Sequence, residues 1–242
     1  MTILITGSTG ALGSELEKIF PDSIFPTHKE FDICDLSAVK DFFNKHKIDI
    51  VIHTAALTTV RGCEENKSLA MQVNVEGTHN LVSEFKNSNP DGKFVYISTA
   101  CVFDGHSEMY DELSIPHPKN FYSLTKLLGE CEVKSLTNSL IIRTNFVSRK
   151  KWPYPKAFTD RFGTYLFSDQ IAHGIHEVIQ NNLDGIIHIV GDKKISMFEL
   201  AKLTTPDIQP MTIDDYSGPP LTIDMSLDTK SWKKYNITQN KV

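Results

Sequence analysis

The sequence predicts an α/β fold, a doubly wound parallel sheet with a small C-terminal lobe. Three observations predict it. The chain opens on a short apolar run, Ile3-Leu4-Ile5, then glycines at positions 7, 10 and 13, then Ala11, Leu12, Leu16 and Ile19 at helical spacing. Strand-length apolar runs recur at 48–53, 92–98 and 139–143, with amphipathic stretches between them; that alternation belongs to a parallel sheet covered on both faces. The 242 residues, 40% hydrophobic and 23% charged, suffice for one full core and a small second lobe.

The opening reads as strand, glycine turn and helix. Gly7 permits the tight turn, Gly10 lets backbone approach a pyrophosphate, and Gly13 lets the helix pack on the strand. N–H groups at the helix start then face the phosphates. This is the dinucleotide-binding turn of a Rossmann fold, with Thr9 inside it. Pro21 ends the helix, and Asp22 to Lys29 reads as a second strand shortened by Pro26. A carboxylate at the end of that strand would bind a free 2′-hydroxyl and repel a 2′-phosphate. Thr27-His28-Lys29 has none before Glu30, which favours NADP(H) over NAD(H).

Ser37 or Asp35 can cap the next helix, Ser37 to His46, with Val39, Phe42 and Phe43 on its buried side. Ile48 to His53 is the third strand, followed by the small residues Ala55 and Ala56. Glu64 to Lys86 reads as mostly helical, with Asn74 in its middle. Asn is a poor helix-interior residue, so its amide is expected to point at the active site. Gly92 to Ser98 is the fourth strand, ending in Ser98-Thr99, hydroxyls placed where strand ends open onto the ligand crevice. A loop spans 104–118, and the helix after it carries Tyr122 and Lys126 and runs to Leu136. Ser139 to Arg143 is the fifth strand. Beyond it come a basic aromatic loop, Arg149 to Pro155, a helix over 168–180, a strand over 186–190 and a short helix capped by Ser196. The division expected is a nucleotide-binding domain over 1–145 and a substrate lobe over 146–242 that does not fold independently.

The totals exclude several classes. A net charge of −5 without a long basic run argues against a nucleic-acid partner. No apolar run approaches a membrane span, and a strand starting at residue 2 leaves no room for a signal peptide. Cys34, Cys63, Cys101 and Cys131 are far apart and read as reduced thiols. A cytoplasmic location is the expectation. His173 and His176 share a helix face without a third ligand, so no metal site is expected. A homodimer is the default assembly.

Tyr122 and Lys126, four apart, project from one helix face. A Tyr titrates near pH 10, and lowering it by roughly 3 units takes about 4 kcal/mol. A close ammonium together with a nicotinamide is expected to supply this. Tyr122 would then be the general acid of carbonyl reduction, Lys126 would tune it and hold the nicotinamide ribose, and Thr99, or Ser98 beside it, would orient the carbonyl oxygen.

Thr6-Gly7-x-x-Gly10-x-x-Gly13, Asp32-Ile33, Ala55-Ala56, Asn74-Val75-Glu76-Gly77-Thr78, Ser98-Thr99 and Tyr122-x-x-x-Lys126 together resemble the extended short-chain dehydrogenase/reductase superfamily. Val102-Phe103-Asp104-Gly105 and Arg143-Thr144 resemble its dTDP-4-dehydrorhamnose reductase branch. Gly185 to His188 and Ser226 to Thr229 are similar to that branch's later signatures. The resemblance implies hydride transfer from NAD(P)H to the keto carbon of a nucleotide-linked deoxysugar. It implies a cofactor site of Gly7, Thr9, Gly10, Ala11, Leu12, Gly13, Asp32, Ile33, Ala55, Ala56, Leu57, Asn74, Tyr122 and Lys126. It implies a catalytic set of Thr99, Tyr122 and Lys126, and substrate contacts at Thr99, Ala100 and Phe146, the last standing where the branch has a tryptophan. There are departures. Ala100-Cys101 replace an Asp and a Tyr, a helical piece between Phe146 and Phe162 is missing, and Pro219-Pro220-Leu221-Thr222 stand where an Arg-Pro is expected. A dehydratase needs an Asp–Glu pair after the Thr, which Ala100-Cys101 cannot provide. A nucleotide-sugar epimerase with retained NAD is an alternative. So is a non-catalytic NAD(P)-binding regulatory subunit, similar to the β subunit of methionine adenosyltransferase.

Overall fold

The computed structural model describes residues 1–238; the last four residues of the expected lobe lie outside them. Strand β1 (Ile3–Thr6) leads into α1 (Gly13–Ile19), α2 (Leu36–Lys45) and β2 (Ile50–His53). Next come α3 (Val60–Glu65), α4 (Lys67–Met71), a π-helical turn (Gln72–Glu76) and α5 (Gly77–Ser88). Then follow β3 (Lys93–Ile97), a 3-10 turn (Ala100–Val102), α6 (Phe121–Val133) and β4 (Ser139–Arg143). Short strands β5 (Phe146–Val147), β6 (Lys156–Phe158), β7 (Phe162–Gly163) and β8 (Leu166–Phe167) precede α7 (Ser168–Gln180) and β9 (Gly185–His188). Strand β10 (Ile195–Ser196), α8 (Met197–Lys202), β11 (Gln209–Met211) and β12 (Asp224–Met225) complete the order.

The central sheet has the order β1-β2-β3-β4-β9 with every pair parallel. Side chains alternate across it. Ile3, Ile5, Ile50, Ile52, Val95, Ile97, Leu140 and Ile142 meet α1 and α7 on one face. Leu4, Val51, Phe94, Tyr96 and Ile141 meet α2, α5 and α6 on the other. Asp35 caps α2 by accepting from the N–H groups of Ser37 and Ala38, and Ser196 caps α8 in a reciprocal box with Glu199.

Two expectations are corrected. The second strand shrinks to a single parallel bridge, Ile24 beside Leu4, because Pro26 has no N–H to extend the ladder. The stretch 64–86 is mostly helical as expected, interrupted at Asn66, whose side chain caps α4. The boundary at 145 does not separate two layers: β9 pairs with β4, and α7 packs against α1, so the middle of the supposed lobe belongs to the nucleotide-binding sheet. What remains apart is built of β6 with β11 and of β7 with β10 and β12. No helix is present between Phe146 and Phe162, as the departures above imply. All four cysteines are free thiols. No helix among the described residues is long and apolar enough to cross a membrane.

Candidate active site

The glycine turn lies at the C-terminal ends of β1 and β2. Gly7 has φ +72°, the left-handed region. A Cβ there would lie 2.7 Å from both Ala55 N and Thr54 Oγ1, so Gly7 also lets the turn press against the end of β2. Thr54 Oγ1 donates to the Thr6 carbonyl across this seam, at 2.7 Å. A Cβ on Gly13 would fall 2.3 Å from the Gly7 carbonyl oxygen, so the helix packs on the turn itself. A Cβ on Gly10 would meet only the Gly7 carbonyl, at 3.2 Å, and its other side is open. The backbone N–H groups of Ala11 and Leu12 have no partner among the described residues. Thr9, Gly10 and Ala11 are exposed and Leu12 is anchored in the core. The turn is therefore a cradle of free donors that a side chain at 10 would narrow, and it fits a pyrophosphate.

Asp32 is half-buried and accepts from Cys34 N at 2.9 Å. Ile33 is buried beneath Gly77, where a Cβ would come within 2.8 Å of it. Ala55, Ala56 and Leu57 are half-buried along the crevice.

Asn74 does not open onto the crevice. It is 1% exposed. Its Oδ1 accepts from Leu57 N at 2.7 Å, and its Nδ2 donates to the Leu57 carbonyl at 3.0 Å and to Thr125 Oγ1 at 2.9 Å. Its amide braces the cofactor-side loop to α6, and the expectation of a direct cofactor contact is corrected. Ala100 is corrected likewise: it is fully buried and has no surface to give a substrate. Phe146 is half-buried on β5.

The structure distinguishes the two neighbouring hydroxyls of Ser98 and Thr99. Ser98 Oγ donates to Glu130 Oε1 at 2.6 Å and is committed. Thr99 Oγ1 accepts from Cys101 N at 3.1 Å, capping the 3-10 turn, and hydrogen-bonds Tyr122. Thr99 is the hydroxyl that meets the tyrosine. Asn120 caps α6 through Ser123 N and donates to the Pro220 carbonyl, tying α6 to the C-terminal segment.

In the cofactor-free chain the electrostatics run against the direction expected for the cofactor-bound site. Burial pushes the Tyr122 phenol up, Cys101 adds to this, and the Thr99 hydrogen bond opposes it. Lys126 is itself pulled down to about 7 by burial, against the pull of Glu130. Desolvation dominates both groups, because a buried site disfavours the charged form of each. The Lys126 ammonium lies 4.0 Å from the centroid of the Tyr96 ring. Tyr96 fits because residue 129 is glycine: a Cβ there would be 2.2 Å from the Tyr96 hydroxyl.

Sequence reasoning missed the support beneath this set. Glu130, fully buried, takes a two-pronged hydrogen bond from Arg143, Nε to Oε1 at 2.9 Å and Nη2 to Oε2 at 2.7 Å, besides the bond from Ser98. One carboxylate thus joins α6 to the ends of β3 and β4. Its position four residues after Lys126, one helical turn along, was the available signal. Buried His53 links Thr6 Oγ1 (2.6 Å from Nδ1) to Thr78 Oγ1 (3.0 Å from Nε2). Thr78 Oγ1 donates onward to the Asn74 carbonyl, so Nε2 carries the hydrogen. Burial, then Lys126, lowers His53 to about 3, so it stays neutral.

Residues 1–158 match the RmlD substrate binding domain. The chain belongs to this family. Methionine adenosyltransferase 2 subunit beta of Xenopus laevis is 27% identical, over 98% of this chain and 83% of its own length. Spore coat polysaccharide biosynthesis protein SpsK of Bacillus subtilis is 34% identical, over 82% of this chain and 76% of its own. The crystal structure of dTDP-4-dehydrorhamnose reductase from Bacillus anthracis in complex with NADP superposes with a TM-score of 0.89 at 25% identity, covering 98% of this chain and 95% of that one. Little of that fold is therefore absent here, although Pro219-Pro220-Leu221-Thr222 stand where the resemblance led us to expect an Arg-Pro. Arg161 reaches this segment instead, donating to the Thr222 carbonyl at 2.8 Å.

Proposed function

We propose that the protein is an NADPH-dependent reductase that acts on the keto group of a nucleotide-linked deoxysugar, in the manner of dTDP-4-dehydrorhamnose reductase. The observation that carries this reading is the convergence of Thr99, Tyr122 and Lys126 beside an open glycine cradle, in an RmlD-family chain. The bound nicotinamide supplies the hydride. Ala11 and Leu12 N–H groups hold the pyrophosphate, Asp32 the adenine amino group, and Ala55, Ala56, Leu57 and Lys126 the nicotinamide half. Lys29, exposed, offers a cation to a 2′-phosphate, while the Glu30 carboxylate beside it is engaged by Thr27 N and Oγ1 at 2.8 Å each; this supports NADP(H) over NAD(H).

Thr99 orients the carbonyl oxygen. Tyr122, a phenol protonated at neutral pH and pushed further up by burial, gives its proton to that oxygen as negative charge develops there. The carbon gains a hydride and the oxygen a proton. Lys126, in its ammonium form, stabilises the phenolate left behind.

The test is absorbance at the reduced-nicotinamide band, with NADPH or NADH and dTDP-4-keto-6-deoxyglucose plus its epimerase. Oxidation is expected, faster with NADPH. Tyr122→Phe should lose at least about a hundredfold in rate at an unchanged melting temperature; full activity in that variant would remove Tyr122 from the role. The likeness to an adenosyltransferase β subunit along 98% of the chain favours a second reading, a cofactor-binding regulatory subunit. NADPH binding with no oxidation across a panel of nucleotide sugars would select it.

A further inference from the structure

His53 is a buried titratable group that no step of the proposed reaction uses. It stands in the middle of a row of three side chains across the sheet. Thr6 pairs with His53, and His53 with Tyr96, in the strand register, so the three share one face. Thr6 immediately precedes the Gly7 turn. The Tyr96 ring lies against the Lys126 ammonium, 4.0 Å from ring centroid to Nζ. The row therefore runs from the glycine cradle to α6.

Hydrogen bonds give the row a direction. Ala55 N donates to Thr6 Oγ1 at 3.4 Å, and Thr6 Oγ1 donates to His53 Nδ1 at 2.6 Å. His53 Nε2 donates to Thr78 Oγ1 at 3.0 Å, and Thr78 Oγ1 donates to the Asn74 carbonyl at 2.8 Å. A neutral imidazole has one donor and one acceptor nitrogen, and both are used here. A charged ring would carry a hydrogen on Nδ1 and could not accept from Thr6; burial, then Lys126, keeps the ring neutral. Thr6, His53, Thr78 and Asn74 are all buried. Buried chains of this kind strengthen member by member, and a missing member leaves its neighbours unpaired.

Beyond Thr78 the chain forks to α6. Asn74 Nδ2 donates to Thr125 Oγ1 at 2.9 Å, and Thr125 Oγ1 donates to the Tyr122 carbonyl at 2.8 Å. The Tyr96 hydroxyl, which meets Thr78, donates to the Lys126 carbonyl at 3.4 Å. One branch holds α6 at Tyr122 and the other at Lys126.

We propose that His53 is a two-sided positioning residue: its Nδ1 side sets the loop that lines the cofactor, and its Nε2 side sets Tyr122 and Lys126. The second side rests on the reductase reading and deepens it. The two sides can be removed singly. An Asn side chain ends near the Nδ1 position and can still accept from Thr6, whereas a Gln side chain reaches the Nε2 position and can still donate to Thr78.

The experiment compares the full chain with His53→Asn, His53→Gln, Thr6→Val and Thr78→Val. NADPH affinity is measured by calorimetry, and kcat at saturating NADPH with dTDP-4-keto-6-deoxyglucose plus its epimerase. His53→Asn and Thr78→Val should lose about tenfold in kcat and keep their NADPH affinity. His53→Gln and Thr6→Val should lose about tenfold in NADPH affinity and recover kcat once saturated; tenfold is what stranding one buried partner costs. A histidine that only fills the core would lower the melting temperature without this split, so affinity and kcat moving together in all four variants, or not at all, would overturn the proposal. Nitrogen NMR of the wild type decides it without any variant: the Nε2–H tautomer is expected, and the Nδ1–H tautomer would overturn it. NADPH binding without oxidation by the wild type sinks the reductase reading and leaves this one open to the same test. The α6 side is then read as amide exchange at Leu57, which Asn74 holds. Faster exchange in His53→Asn and Thr78→Val supports the proposal, and unchanged exchange in both overturns it.

Discussion

Lys126 is the residue on which the pH behaviour of the site turns. Burial brings it to about 7 in the free protein, while Glu130 one turn along pulls it back up. Below that pH it is an ammonium; above it, a neutral amine. If the ammonium is the working form, kcat/KM, which reports the free enzyme, falls as pH rises through about 7. In Glu130→Gln the group that raises Lys126 is gone, so the falling limb moves to lower pH. The same change leaves the buried Arg143 without its charge partner, a loss of about 3–5 kcal/mol in such settings, so stability falls as well. The two effects are separable, because a lost ion pair alone moves the melting temperature and not the pH limb. A limb that stays in place in Glu130→Gln would remove Glu130 from any role in tuning Lys126.

Among the elements, the π-helical turn over Gln72–Glu76 shows what a sequence can and cannot disclose. The strand–turn–helix of residues 3–19 was readable because each glycine answers a local need, a positive φ at Gly7 and a close backbone at Gly13. Tyr122 and Lys126 were readable because helical spacing alone puts them on one face. The Asn74 turn was not, since its reason is tertiary: the amide is held by Leu57 and Thr125, 17 and 51 residues away. Asn74 was noticed as misplaced in a helix, and its direction was misjudged. The choice of Thr99 over Ser98 was equally hidden, because Glu130, which claims Ser98, comes 32 residues later. The upward push on Tyr122 in the cofactor-free chain was hidden too, since burial cannot be read from a four-residue spacing. Asn74→Ala removes three hydrogen bonds and strands the Leu57 amide, a cost of about 1–3 kcal/mol. At about 2–4 °C per kcal/mol for a chain of this size, the melting temperature should fall measurably. NADPH binding should weaken with it, because the Ala55-Ala56-Leu57 loop loses its anchor. Unchanged melting and unchanged NADPH affinity together would show that the brace is dispensable.

For the whole molecule, the decisive feature is that the chain returns to its first sheet after leaving it. Position 145 looks like a boundary in the sequence, because the alternation of strand and helix loosens there. The sheet is nonetheless incomplete at that point. Strand β9 supplies its outer edge along Leu140 to Arg143, and α7 covers the face on which α1 lies. Ile171, Ile175, Val178, Ile187 and Ile189 are all at most 2% exposed in this layer. Each such side chain contributes about 1.5–3 kcal/mol on burial, so the five together rival the whole net stability of a domain, about 5–15 kcal/mol. The glycine cradle itself depends on this cover, because Leu12 and Leu16, which seat α1, share the same core as α7. A fragment ending at residue 145 would hold every residue assigned to the cofactor and still lack half of the layer that supports them. It is expected to show no cooperative thermal transition by circular dichroism and no NADPH binding by calorimetry, whereas the full chain melts cooperatively and binds. Cooperative melting of the fragment with cofactor affinity retained would mean that the first 145 residues are a self-sufficient domain and that β9 and α7 only decorate it.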